Sequence, residues 1–152
     1  MDFSLPERFD LEYVTENGTR SRPVVLHRAM VGSIERFLGV LIEHYAGSFP
    51  TWLSPTQAVI IPITDRQIEY SSQVAKQLTS AGVRVAIDTR NERMNAKVRQ
   101  AQLEKIPYML IIGDREVENE AVSVRLRSGE DHGAMPINQA HEMIKSAIDY
   151  QR

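Results

Sequence analysis

The strongest constraint on this chain is a change of hydrophobic pattern after residue 55. Ala58-Val59-Ile60-Ile61-Pro62-Ile63 is apolar without a break, as strands covered on both faces tend to be. Thr64 to Gln67 then carries the Thr-x-x-Gln spacing of a capping box, which opens a helix reaching Gly82 with Tyr70, Val74 and Leu78 inward. A second strand is expected at Val83–Asp88, a second helix from Met94 to about Glu104, and a third buried strand at Pro107–Ile112, ended by Gly113. Ala121–Arg127 alternates apolar and polar residues, the mark of a half-exposed strand, and the last helix should run from near Pro136 to near Tyr150. The order β-α-β-α-β-β-α describes an α/β layer fold with a mostly parallel sheet, its late strand added antiparallel.

The first fifty residues follow another logic. Glu16-Asn17-Gly18 lies between Leu11–Val14 and Pro23–Leu26 and predicts a hairpin with an Asn-Gly turn. A lone hairpin is marginal in water, so this segment reads as the edge of something larger. Ile34, Phe37, Leu38, Leu41, Ile42 and Tyr45 recur on one helical face, with Ser33 as N-cap and Gly47 as stop. Through Phe37, Leu41 and Tyr45 this helix could cover apolar surface. Gly47–Pro55, with two prolines, is the linker to the α/β region.

Bulk properties narrow the class. Met1–Arg8 has neither a basic start nor an apolar core, so no signal peptide is expected, and no apolar run approaches the roughly 20 residues that span a bilayer. With no cysteine, a disulfide framework is excluded. The expectation is a soluble, cytoplasmic protein without membrane or DNA partners. The formal net charge of −2 leaves any RNA contact to a local patch; Arg84–Arg127 holds nine Lys and Arg against seven Asp and Glu.

Two constellations carry chemistry. His27-Arg28-Ala29-Met30-Val31-Gly32-Ser33-Ile34-Glu35-Arg36-Phe37 combines a strand-like run, a glycine and a helix opening with Glu-Arg. It resembles the third signature motif of class II aminoacyl-tRNA synthetases, in its form from the threonyl-tRNA synthetase family. The resemblance implies that Gly32 gives clearance for a nucleotide and that Arg36 contacts ATP, where a planar guanidinium can stack on adenine or neutralise phosphate. It also makes His27 one of three protein ligands to a zinc ion that would bind the amino and hydroxyl groups of threonine. The family's other two ligands, a cysteine and an upstream histidine, have no counterpart here.

The resemblance continues through Asp2–Phe9, Phe49–Pro55, Asp88–Glu92, Lys97–Arg99, Ile106–Leu110, Gly113–Val117 and Val122–Arg125. It divides the chain into residues 1–47, the C-terminal remnant of a class II catalytic domain, and residues 48–152, an anticodon-binding domain. That domain is implied to have a mixed, mostly parallel five-stranded sheet flanked by about three helices. Asn91, Arg99, Glu116 and Arg125 would read the anticodon. Their donor and acceptor groups suit unstacked loop bases. Asn91, Glu116 and Arg125 would lie at or just beyond strand C-termini, where open α/β sheets bind ligands.

The implied partner is threonine-specific tRNA and the implied parent a homodimeric threonine-tRNA ligase using ATP and zinc. The chain alone, lacking the first two motifs, is expected to recognise the anticodon without catalysing and to bind neither cofactor tightly. A non-catalytic RNA-binding regulator or accessory subunit on the same domain is the alternative. A small-molecule-binding α/β domain is disfavoured, since no Gly-rich phosphate loop follows any strand.

Overall fold

The computed structural model describes residues 1–149. The chain divides into two compact units, Met1–Leu41 and the residues from Ile42 onward.

In the first unit, α1 (Ser4–Arg8) is opened by Asp2, whose Oδ1 accepts from the backbone N–H of Ser4 at 2.8 Å and of Leu5 at 3.0 Å. The expected hairpin forms around Gly18, whose φ of +74° suits a glycine. Its strands are β1 (Tyr13–Val14) and β2 (Arg20–Ser21), so the second arm comes earlier than the Pro23–Leu26 expected. Pro23 has no N–H to give a ladder, and Val25 exchanges two backbone hydrogen bonds with Asp2 instead. Helix α2 (Ile34–Tyr45) starts where Ser33 Oγ accepts from the Arg36 N–H at 3.3 Å and ends at Gly47, φ +76°. Of the three residues expected inward, Leu41 and Tyr45 are half-buried and Phe37 is exposed.

The second unit is built on a five-stranded sheet of β3 (Ala58–Pro62), β4 (Val85–Ile87), β5 (Tyr108–Ile112), β6 (Ala121–Leu126) and β7 (Asp131–Pro136). The order is β4-β3-β5-β6-β7; β4, β3 and β5 are parallel, while β6 and β7 are antiparallel additions. This is the mixed α/β architecture expected. A 3-10 turn at Asp65–Gln67 precedes α3 (Ile68–Ser80); Gln67 Oε1 accepts from the Thr64 N–H at 2.8 Å, closing the capping box. Helix α4 (Met94–Leu103) follows β4, a short α5 (Asp114–Glu118) follows β5, and α6 (Ile137–Asp149) ends the described chain. The helix end expected near Tyr150 lies just outside the described residues.

Two cores sandwich the sheet. Val74, Leu78, Ala140 and Ile144 of α3 and α6 pack on Ala58, Ile60, Leu110, Ile112, Val122 and Val124. On the other face, Val98 and Ala101 of α4 pack on Val59, Ile61, Met109 and Ile111. Alternation along β3 and β5 therefore feeds both layers, which is why those strands have no polar position.

The segment between α2 and β3 is held as a strap. Arg127 donates to the carbonyls of Phe49 (2.7 Å), Ser48 (3.2 Å) and Lys105 (3.2 Å). Arg84 donates to those of Trp52 (2.8 Å) and Ser54 (2.8 and 3.0 Å), buried Gln57 to that of Thr51 (2.9 Å), and Lys105 Nζ to that of Ala46. Each of these side chains is bonded to main-chain carbonyls of the strap, whatever side chains the strap itself carries. Partial burial holds the Arg127 guanidinium below its ordinary value, as desolvation disfavours the charged form.

Candidate nucleic-acid interface

The sheet face that carries α4 is unevenly covered. Val122 and Val124 of β6 point to the α3–α6 core, so Ser123 and Arg125 point to the α4 side. Across the β6–β7 ladder, Ser123 faces Ala134 and Arg125 faces Asp131, with a bulge at Val124/Arg125. Ser123 and Arg125 are half-buried while Ala134 and Asp131 are exposed. Beside α4, then, β6 and β7 form a ledge open to solvent.

Arg125 is the cation of that ledge. Its Nη2 donates to Asp131 Oδ2 at 2.7 Å, and Asp131 Oδ1 accepts from the Gly133 N–H at 2.9 Å. The hydrogen bond from Arg125, then that from Gly133, hold the Asp131 carboxyl below its ordinary value. Arg125 Nε is buried without an acceptor. Arg99 is exposed on α4; its neighbour Gln100 lines a hollow of about 340 Å³ on the β4 side, with Asp88, Arg90 and Glu104. A helix turns about 100° per residue, which puts Arg99 outward on the flank away from that hollow.

Asn91 and Glu116 lie at the C-terminal edge of the parallel strands. Asn91 is exposed in the loop after β4. That loop is tied at its root, where Arg90 Nε and Nη2 grip the two Asp88 oxygens at 2.9 and 2.6 Å. Arg90's hydrogen bond is the largest influence lowering the Asp88 carboxyl. Below it Lys97, 4% exposed, donates from Nζ to the carbonyls of Pro62 and Asp88, both at 3.1 Å. Glu116 is half-buried and its Oε2 accepts the Gly113 N–H at 2.9 Å, so one oxygen caps α5.

Arg125 lies near the C-terminal end of β6, as expected, but β6 runs against β5 and Arg125 lies opposite Met109, the second residue of β5. It therefore sits toward the N-terminal edge of the parallel strands, away from Asn91 and Glu116. The four residues do not share a crevice at one sheet edge. Arg99 lies outward on α4 and Arg125 on the β6–β7 ledge, while Asn91 and Glu116 lie at the opposite edge of the sheet.

Asp131 and Lys97 are not among the site residues that the sequence suggests. Lys97 had left a signal, a lysine on the inward face set by Met94, Val98 and Ala101. Asp131 left little: β7 reads Asp-His-Gly-Ala-Met-Pro, without a β-branched residue to show alternation.

In the first unit, His27 Nε2 and Asp2 Oδ2 share a hydrogen bond at 2.8 Å. Among the described residues no group of three or more His, Asp or Glu side chains could hold a metal. Zinc needs at least three protein ligands, so these residues do not fit the implied ion. Gly32 has φ +64° and open space where a Cβ would be, and Arg36 is exposed at the start of α2. Among the described residues no helix is long and apolar enough to cross a membrane.

Comparison with known proteins agrees with this architecture. The family described as "Anticodon binding domain" matches residues 57–147, and "tRNA synthetase class II core domain (G, H, P, S and T)" matches residues 1–45. The chain is 57% identical over 148 residues to a threonine–tRNA ligase of Maridesulfovibrio salexigens, covering 97% of this chain and 23% of that protein. It is 55% identical over 149 residues to the ligase of Natranaerobius thermophilus, covering 98% and 23%. The chain thus spans under a quarter of the length of the curated relatives it matches. A crystal structure of the RNA-binding domain of threonyl-tRNA synthetase from Cryptosporidium parvum Iowa II superposes with a TM-score of 0.78 at 36% identity, over 96% of this chain and 37% of that one.

Proposed function

The chain belongs to the threonyl-tRNA synthetase family, and from that premise we propose that its residues 48–152 recognise the anticodon loop of threonine-specific tRNA. The carrying observation is the open ledge of β6 and β7 beside α4, with Arg125 on it and Arg99 on the adjoining helix flank. Single-stranded loops are bound by surfaces on which splayed bases meet planar cations and amide groups; this face offers the cations, and Asn91 at the opposite edge of the sheet the amide. Arg125 and Arg99 would supply guanidinium contacts, Asn91 a paired donor and acceptor, and Glu116 its second carboxylate oxygen.

The whole enzyme of which residues 1–47 form the end of a catalytic domain would attach threonine to that tRNA with ATP, as a cytoplasmic homodimer. Arg36 and Gly32 would there border the nucleotide. His27 would be one ligand of that enzyme's zinc, and this chain by itself would bind neither group tightly.

The test compares binding of this chain to the threonine-tRNA anticodon stem-loop and to one with altered anticodon bases, at fixed salt. Wild type should prefer the cognate loop by at least tenfold, and Arg99→Ala should weaken cognate binding by about 1–3 kcal/mol, the usual cost of a lost base contact. Equal affinity for both loops, in protein shown to be folded, would refute the reading.

A further inference from the structure

We propose that Asp131 is a specificity-determining residue of the anticodon interface: a built-in carboxylate that occupies Arg125 until a loop base with the right acceptors displaces it. The inference rests on the anticodon reading above and assigns a role to a residue outside the four expected readers. Asp131 is fixed on both sides. One oxygen takes the Arg125 Nη2–H at 2.7 Å and the other the Gly133 N–H at 2.9 Å, so the carboxylate cannot swing off with the arginine. The pair is reachable from solvent, the two side chains being 30% and 47% exposed.

The resting pose is also incomplete. Arg125 Nε is buried with no acceptor, although a guanidinium can serve two acceptors side by side. Turning the fork outward would free Nε and release Asp131 in the same movement. A base edge with two adjacent acceptors, such as the O6 and N7 of guanine, satisfies both donors and recovers what the ion pair loses. A base with a single acceptor satisfies one donor only and leaves the rest of its edge beside the uncovered carboxylate, which repels any acceptor or phosphate there, whereas a two-acceptor edge is held on the fork and kept off it. Asp131 therefore penalises the wrong loop more than the right one, and specificity is that difference.

The informative variant is Asp131→Asn. It keeps an oxygen for the Gly133 N–H, and so the turn, while removing the charge that holds Arg125. Dissociation constants are measured for the cognate stem-loop and for one with an altered anticodon, with wild type, Asp131→Asn and Arg125→Ala, and thermal melting confirms folding. Asp131→Asn should tighten the altered loop about tenfold and the cognate loop by no more than about threefold, so that the preference narrows. Arg125→Ala should narrow the preference by weakening the cognate loop. Equal tightening of both loops would show charge repulsion without a gate, and no change would show that the Asp131 charge acts on neither loop; either result overturns the inference while leaving the anticodon reading standing. Absence of any preference in wild type would overturn both.

Discussion

Arg127→Ala tests the strap that carries the chain from α2 into the sheet. The side chain makes three hydrogen bonds to carbonyl oxygens, at 2.7, 3.2 and 3.2 Å. A bond from a charged donor contributes about 1.5–3 kcal/mol net. The two longer ones are weak, and Ser48 and Phe49 are half-buried, so water can replace the lost donor at both. Removing a desolvated guanidinium returns part of its burial penalty as well. The balance is a loss of about 2–3 kcal/mol, or roughly 8–15 °C in melting temperature for a unit of this size.

The assay is urea unfolding followed by the emission of Trp52. It is the sole tryptophan, sits in the strap, and is 40% exposed. Its folded-state emission should shift to the red as the strap loosens, and Arg127→Lys, which can reach one carbonyl, should lose about half as much. A loss under about 1 kcal/mol with unchanged folded emission would refute the reasoning.

Other outcomes follow from the interior and from pH. Lys97→Ala should destabilise by about 3 kcal/mol, since it strands the Pro62 and Asp88 carbonyls and leaves a cavity; Lys97→Met fills the space and should cost about half that, both read from urea midpoints. Asp88 and Asp131 have carboxyls held below their ordinary 3.8, so each contributes stability above that pH and loses it as pH falls through the lowered value. The urea midpoint should fall as pH drops below about 4, and Asp88→Asn should flatten that limb; a midpoint indifferent to acid in wild type would contradict the ion-pair geometry.

How far the sequence carried this reading differs by element. Strands β3 and β5 were legible because a strand covered on both faces has no choice but to be apolar throughout. Helix α2 was legible from period and caps. The hairpin's second arm was misplaced because Pro23–Leu26 has strand-like composition, while pairing depends on which backbone N–H groups exist. Strand β7 was invisible to patterning: its one buried side chain, Met135, is flanked by Ala134 and Pro136. At the interface, residue types suggested who could contact a base, but not that Arg125 already has a partner. The Arg125–Asp131 pairing follows from strand register and a bulge, neither of which side-chain periodicity encodes.

The strap has a consequence for how this protein can change over time. Because its anchors grip carbonyl oxygens, side chains of the strap could change without removing them, except where the backbone is left-handed, at Ala46 (φ +48°) and Gly47 (φ +76°). A single inserted or deleted residue, however, displaces every later carbonyl by about 3.3 Å, out of reach of Arg84, Arg127 and Gln57 together. Surface connections usually accept changes of length readily. This one should be far less tolerant of resizing than of side-chain replacement, since its length sets every carbonyl against its anchor.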